Sequence, residues 1–290
     1  MDNAQILEKL GVLKALISEI ENDLGYTPDA LSFNDDFRIL KELLNSPEWP
    51  TAVDPILICD EKSGDDKMNR AQGILENIVT EPIAGKKVLD FGTGEGHVVK
   101  AAIEKHAAFA IGFDIKNNFI DKKRNMEFST DWKIVQQNAP YDIIIICDTL
   151  DHLENLTPYD VLAKAKSVLA PEGSVFVRYH NYMSRHATHL YKKLNKAFVH
   201  LVFTENEIAT LVPNLEKVPT NKVYFPIKTY FDTINQAKLK ITNEYKVTTP
   251  VEPFFEKAEI VNRISQNTPF KTLPRMQMEI DFVDYILKHQ

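Results

Sequence analysis

The stretch Lys87–His97, reading KVLDFGTGEGH, limits what this chain can fold into more than any other. Val88, Leu89 and Phe91 form a short apolar run, the pattern of a strand buried in a parallel sheet. Gly92, Gly94 and Gly96 end the run, and Val98 to Lys105 read as a helix. Glycine lets the chain turn sharply and lets a ligand approach the backbone. A strand, a glycine turn and a helix place a nucleotide-sized site at the strand's carboxyl end. The spacing argues against the dinucleotide fingerprint G-x-G-x-x-G. The third glycine comes one residue early, His97 stands where the last glycine should be, and Glu95 would repel a pyrophosphate.

Further elements follow in register. Ala110 to Phe113 is a second apolar run closing on Asp114, roughly twenty residues past the glycine loop, where an acid at a strand end can hold both ribose hydroxyls. Tyr141 to Cys147 is a longer apolar run that leads into Asp148-Thr149-Leu150-Asp151-His152-Leu153. Strands at 87–91, 109–114, 126–130, 141–147 and 173–179 alternate with helices at 96–105, 116–124, 131–138 and 157–168. Such alternation gives a doubly wound parallel sheet with helices on both faces and right-handed crossovers.

Asp90-Phe91-Gly92-Thr93-Gly94-Glu95-Gly96 fits the loop D/E-x-G-x-G-x-G. On that loop and the strand ends after it, the chain resembles the class I S-adenosylmethionine-dependent methyltransferases over about residues 80 to 215. The resemblance implies a Rossmann-like seven-stranded α/β sheet, mostly parallel with one antiparallel strand, two late strands completing it. It implies S-adenosylmethionine as cofactor and S-adenosylhomocysteine as product. The cofactor residues it implies are Asp90, Gly92, Thr93, Gly94, Gly96, Asp114 and Ile115, with Asp148 at the methyl end. Asp131 would accept from the adenine amine and Trp132 would pack on the ring.

Composition narrows the setting. The chain has 290 residues, 44% hydrophobic and 26% charged, as in a globular protein with an ample core. No apolar run reaches the roughly eighteen residues of a membrane helix. The first residues lack the basic-then-apolar form of a secretory signal, so a cytoplasmic setting is expected. Cys59 and Cys147 are too few for a disulfide framework or a cysteine zinc site. A net charge of −7 argues against general affinity for nucleic acid.

Residues 1–79 read as a helical extension or lid, and 80–290 as the catalytic domain, with 178–235 a substrate-side insertion. Helices are expected at 2–24, where Ile6, Leu10, Leu13, Ile17 and Ile20 recur at helical spacing, and at 35–44. The first of these could equally serve as a homodimer helix. Residues 51–67 read as a loop, 68–79 as a helix, and Thr204 to Leu211 as a helix opened by a capping box. Another helix is expected at 228–238. Leu239 to Val247 alternates as a strand with Leu239, Ile241 and Tyr245 inward. Residues 254–266 read as helix and 276–282 as a final strand.

The chemistry follows from side chains near the strand ends. Methyl transfer is an in-line displacement in which the protein mainly supplies alignment, and a general base helps when the acceptor is a hydroxyl or an amine. His152 and His180 are the candidate bases, with Asp151 and Asp148 to orient a base or bind substrate. From Arg178 to His200 there are five Lys or Arg, four His and no acid. Arg178, Arg185 and His186 are the candidate substrate residues there, which favours a small or anionic acceptor. His186-x-x-His189 with Asp151 could hold a divalent ion, but the spacing is unspecific and no metal is assigned. Neither a DNA-amino tetrad nor a Pro-Cys pair follows the fourth strand. A nucleic-acid acceptor and a non-catalytic protein that keeps the fold for binding or assembly are the rival readings.

Overall fold

A computed structural model describes residues 30–53, 63–150, 153, 156–187, 190, 193–212 and 226–290. Contacts divide the chain into two units, Met1–Trp49 and Pro50–Gln290. In the first unit α1 (Ala30–Leu44) begins ahead of its expected start at Asp35. It buries Leu44, half-buries Phe37, Leu40 and Leu43, and exposes Arg38, Lys41 and Glu42. The helix expected at 2–24, with its dimer role, lies outside the described residues.

The second unit opens with α2 (Gly64–Asn77), whose start falls inside the stretch expected to be loop. A capping box causes this. The Ser63 hydroxyl accepts from the Asp66 N–H, and the Asp66 carboxylate accepts from the Ser63 N–H. There follow β1 (Lys87–Phe91), α3 (His97–Glu104), β2 (Phe109–Phe113), β3 (Met126–Ser129), α4 (Trp132–Gln137) and β4 (Tyr141–Cys147). Then come α5 (Pro158–Val168), β5 (Leu169–His180), α6 (Val199–Val202), α7 (Glu205–Leu211) and α8 (Ile227–Gln236). The chain closes with β6 (Leu239–Thr248), a 3-10 turn at Pro253–Glu256, α9 (Ala258–Asn267), α10 (Arg275–Met278) and β7 (Ile280–His289).

The described strands form one sheet in the order β3-β2-β1-β4-β5-β7-β6. β1 to β5 pair in parallel, and β7 runs antiparallel to both β5 and β6. This is the expected seven-stranded sheet with one antiparallel member. The order reverses between β1 and β4, so a crevice opens at the carboxyl ends there. Both faces are covered. Val88, Ile143, Ile145 and Phe176 pack with Ala71, Leu75, Val99 and Ala102 of α2 and α3. Leu89, Ile144, Ile146, Val175 and Val177 pack with Leu162, Ala165 and Ile234 of α5 and α8. Burial on both faces is why β4 reads as four consecutive isoleucines rather than as an alternation.

Four expectations about elements are corrected. No helix forms at 116–124. The Ile120 N–H donates to the Glu95 carbonyl at 2.9 Å and Phe119 stacks on Phe128 at 5.0 Å, so the segment lies as a cover on the glycine loop. β5 starts at Leu169, four residues ahead of its expected start at 173, because Tyr141 pairs with Leu169 and Ile143 with Ser174, with an irregularity between them. Tyr245 is 61% exposed, not inward. A register shift between Ile241 and Asn243 turns the rest of β6 over, since one extra residue reverses the faces. The last strand begins at Ile280, and the alternating Met276 and Met278 belong to α10.

Candidate active site

The glycine loop is built by three residues in the left-handed region, held there for two different reasons. Gly92 has φ 80°, and a Cβ there would lie 2.3 Å from the Thr149 hydroxyl. Gly96 has φ 96°, and its Cβ would meet the Phe128 ring at 2.2 Å. Gly94 has φ 57°, yet nothing stands within 4 Å of where its Cβ would be. Gly92 and Gly96 are therefore fixed by packing, whereas Gly94 faces open space. The Gly92 and Thr93 amides donate to the Phe113 carbonyl at 2.8 and 3.1 Å, tying the loop to β2. The Gly94 amide donates to Asp114 Oδ2 at 2.8 Å, and Asp114 Oδ1 accepts from the Lys116 amide at 3.1 Å.

A cavity of about 470 Å³ opens at the carboxyl ends of β1, β2 and β4. That lies within the range of about 300–1,000 Å³ for small-molecule sites. Its apolar wall is Phe91, Phe113, Ile115, Leu153 and Leu156, and its polar edge is Glu95, Asp114, Lys116, Asn118, Asp148 and Thr149. Of the expected cofactor residues, Gly92, Gly94, Asp114, Ile115 and Asp148 line it. Asp90, Thr93, Gly96, Asp131 and Trp132 are not among its lining residues.

The reasons are local. Asp90 is buried beneath the loop, and burial pushes its carboxyl up to about 7, with Thr93 and Arg70 pulling it partly back. Asp131 is the N-cap of α4, its carboxylate accepting from the Lys133 N–H at 2.9 Å. Trp132 packs on Phe91 at 5.4 Å and Phe113 at 5.2 Å, with Lys164 Nζ 5.0 Å from its ring. It is a floor under two lining aromatics rather than a wall. Sequence reasoning missed Thr149, Leu153, Leu156, Lys116 and Asn118, which are set by loop paths rather than by strand periodicity.

At the other end of the cavity Asp148 has φ 52°. Its N–H donates to the Arg178 carbonyl at 3.0 Å. Arg70 of α2 binds its Oδ2 at 2.6 Å, and Lys67, one turn away, binds Glu95 at 2.6 Å. Asp148 Oδ1 is buried without a hydrogen-bond partner and lies 3.6 Å from His180 Nε2. His180 Nδ1 is 3.1 Å from His186 Nε2, and His186 Nδ1 is 3.8 Å from Asp281 Oδ1. Asp148, His180 and His186 are thus brought together. Asp151, His152 and His189 lie outside the described residues.

The two arginines expected to draw an anion are both paired with carboxylates. Arg178 makes paired bonds of 2.6 Å from Nε and NH2 to Asp284 across the β5–β7 ladder, and its guanidinium lies 4.1 Å from the Phe282 ring centre. Arg185 donates to Glu252 and, at 3.3 Å, to the Thr51 carbonyl. His200 is buried and its pKa falls to about 4 through desolvation, so it stays neutral beside the Tyr182 carbonyl at 2.8 Å. Burial pushes the Cys147 thiol well up, which leaves it unreactive. Among the described residues no group of three His, Cys, Asp or Glu is placed to hold a metal ion, and no helix is long and apolar enough to cross a membrane.

A family model described as a methyltransferase domain matches residues 66–214. No curated protein matches the sequence. Among solved structures, the PH0226 protein of Pyrococcus horikoshii OT3 aligns at 15% identity and TM-score 0.50, over 80% of this chain and 95% of that one. A SAM dependent methyltransferase from Archaeoglobus fulgidus aligns at 14% and 0.48, over 76% of this chain and 94% of that one. Coclaurine N-methyltransferase bound to N-methylheliamine and SAH aligns at 14% and 0.47, over 98% of this chain and 99% of that one. At such identities the likeness is one of fold.

Proposed function

This chain belongs to the methyltransferase-domain family, and on that premise we propose that it moves a methyl group from S-adenosylmethionine to an oxygen or nitrogen of a small acceptor. The observation that carries the reading is the cavity edge made by Gly92, Gly94 and Asp114 at the sheet's reversal point. The residues present fit that cofactor. Gly94 leaves room for a ligand against the backbone. Each Asp114 oxygen accepts one amide and keeps capacity for a ribose hydroxyl. Phe91, Phe113 and Ile115 offer an apolar face for a base. Glu95, Asp114 and Asp148 set carboxylates around the cavity, which suits a sulfonium and disfavours a pyrophosphate.

When bound, S-adenosylmethionine supplies an activated methyl on a cationic sulfur. The chain's own residues then position the acceptor and receive its proton. Asp148, anchored by Arg70, borders both the cavity and His180. His180 serves as the base, reached directly or through Asp148. With Arg178 and Arg185 engaged by carboxylates, a neutral or cationic acceptor fits better than an anionic one.

The reading is tested by titrating the protein with S-adenosylmethionine and S-adenosylhomocysteine in a calorimeter. Saturable binding is expected, weakened at least tenfold in Asp114→Asn. Heat indistinguishable from dilution at millimolar ligand, with the protein folded, would remove the enzyme reading in favour of a non-catalytic role.

A further inference from the structure

The groups behind His180 form a line that proton abstraction by one histidine does not require. His180 ends β5, His186 lies six residues on in the turn after it, and Asp281 opens the antiparallel partner strand β7. The spacings along Asp148, His180, His186 and Asp281 are 3.6, 3.1 and 3.8 Å. All four side chains are mostly shielded from solvent, the most open being Asp148 at 21%. The central contact joins two imidazole nitrogens at hydrogen-bond distance, so one must carry the hydrogen and the other must accept it. Their tautomers are therefore tied together. At the far end the Thr249 hydroxyl donates to Asp281 Oδ2, while Asp281 Oδ1 is buried without a hydrogen-bond partner. Burial pushes that carboxyl above its ordinary range.

We propose that His180, His186 and Asp281 act as one proton relay, with His180 receiving the acceptor's proton and His186 and Asp281 positioning and recharging it from behind. The inference rests on the methyl-transfer reading for its use and deepens that same site. In balance, the acceptor's X–H bond breaks, a C–X bond forms, the S–CH3 bond breaks, and its electron pair stays on sulfur. The released proton enters at His180 Nε2. The hydrogen on His180 Nδ1 moves to His186 Nε2, and that on His186 Nδ1 moves to Asp281. The relay ends with one added proton and no redox change. Because each imidazole ends neutral and the proton ends on the carboxylate, no imidazolium is left in the shielded site.

Groups from several of the described elements face the relay. Asp148 of the β4 end, itself bound by Arg70 of α2, faces His180, and the Phe282 ring of β7 meets His180 edge-on at 5.9 Å. Asp281 faces His186 and feels Arg185 and Glu252. A test must therefore separate coupling between the rings from the background field.

Imidazole NMR titration of the cofactor-free protein does so. In the native chain the His180 and His186 signals are each expected to report the other's protonation as well as its own, as interacting sites do. His186→Gln keeps a side-chain amide in place and should reduce His180 to a single step. Asp281→Asn should lower the midpoint of the pair, because an anion that favours the imidazolium is lost. Independent single steps in the native chain, or a His180 curve unchanged in His186→Gln, would overturn the relay. That outcome leaves calorimetric cofactor binding untouched, so failure of the relay and failure of the methyltransferase reading are told apart.

Discussion

At the scale of single residues, one amino-acid type does two jobs in the same loop. Gly92 is required because a side chain would occupy the space of Thr149, whose hydroxyl donates to the Phe91 carbonyl at 3.0 Å. Gly94 has open space where a Cβ would stand, and on the proposed reading a ligand comes close there. The two are separable by experiment. Gly94→Ala is expected to cost about 1–2 kcal/mol for the left-handed backbone alone and to weaken cofactor binding at least tenfold. Gly92→Ala adds the clash and should cost more than about 3 kcal/mol. Urea denaturation with calorimetry on the same samples checks both, and equal stability losses in the two variants would contradict the packing account.

At the scale of elements, the β5–β7 ladder decides how the basic stretch is used. β7 brings Asp284 opposite Arg178 and Phe282 opposite His180. It thereby converts a cation at the carboxyl end of β5 into half of a shielded pair. Breaking such a pair leaves a buried charge uncompensated, at about 3–5 kcal/mol, whereas replacing both partners by apolar groups is close to neutral. Arg178→Ala is therefore expected to destabilise by roughly 3 kcal/mol, and the Arg178→Met, Asp284→Leu double variant to regain most of it. Equilibrium unfolding of the three proteins checks this. A single variant as stable as the native chain would return Arg178 to the pool of substrate residues.

At the scale of the whole molecule, two buried groups tilt stability against pH in opposite senses. Asp90 has its folded pKa raised from 3.8 to about 7. The folded state keeps that proton longer than the unfolded chain, so its contribution is present below about pH 4 and is lost as pH rises to about 7. His200 has its folded pKa lowered from 6.5 to about 4. Its contribution is present above 6.5 and is lost as pH falls towards 4. Each effect runs at up to about 1.4 kcal/mol per pH unit. Relative to the native chain, Asp90→Asn should therefore gain stability as pH rises from 4 to 7, and His200→Gln should lose it from 4 to 6.5. Denaturation midpoints at half-unit intervals reveal the two slopes, and parallel curves for all three proteins would refute both assignments.

The sheet and the glycine loop were legible in the sequence, because burial on both faces leaves unbroken apolar runs such as Ile143–Ile146 and because left-handed backbone beside a packed neighbour, as at Gly92 and Gly96, leaves room only for glycine. Period and turn chemistry are local properties, carried by neighbours along the chain. Apart from local caps such as Thr204 with Glu207, tertiary structure decided what the polar side chains meet. Trp132 became a floor because two strand-end phenylalanines lie over it. Arg178 became a strand tether because a strand more than a hundred residues later supplies Asp284. Segment 116–124 became a loop cover because Glu95 offered its carbonyl. His180 and His186 were marked by their place after β5, but Asp281 could join them only once β7 had paired antiparallel beside that strand. Charge partners are chosen by distance in space, and the order of residues in a chain does not contain that distance until the sheet has closed.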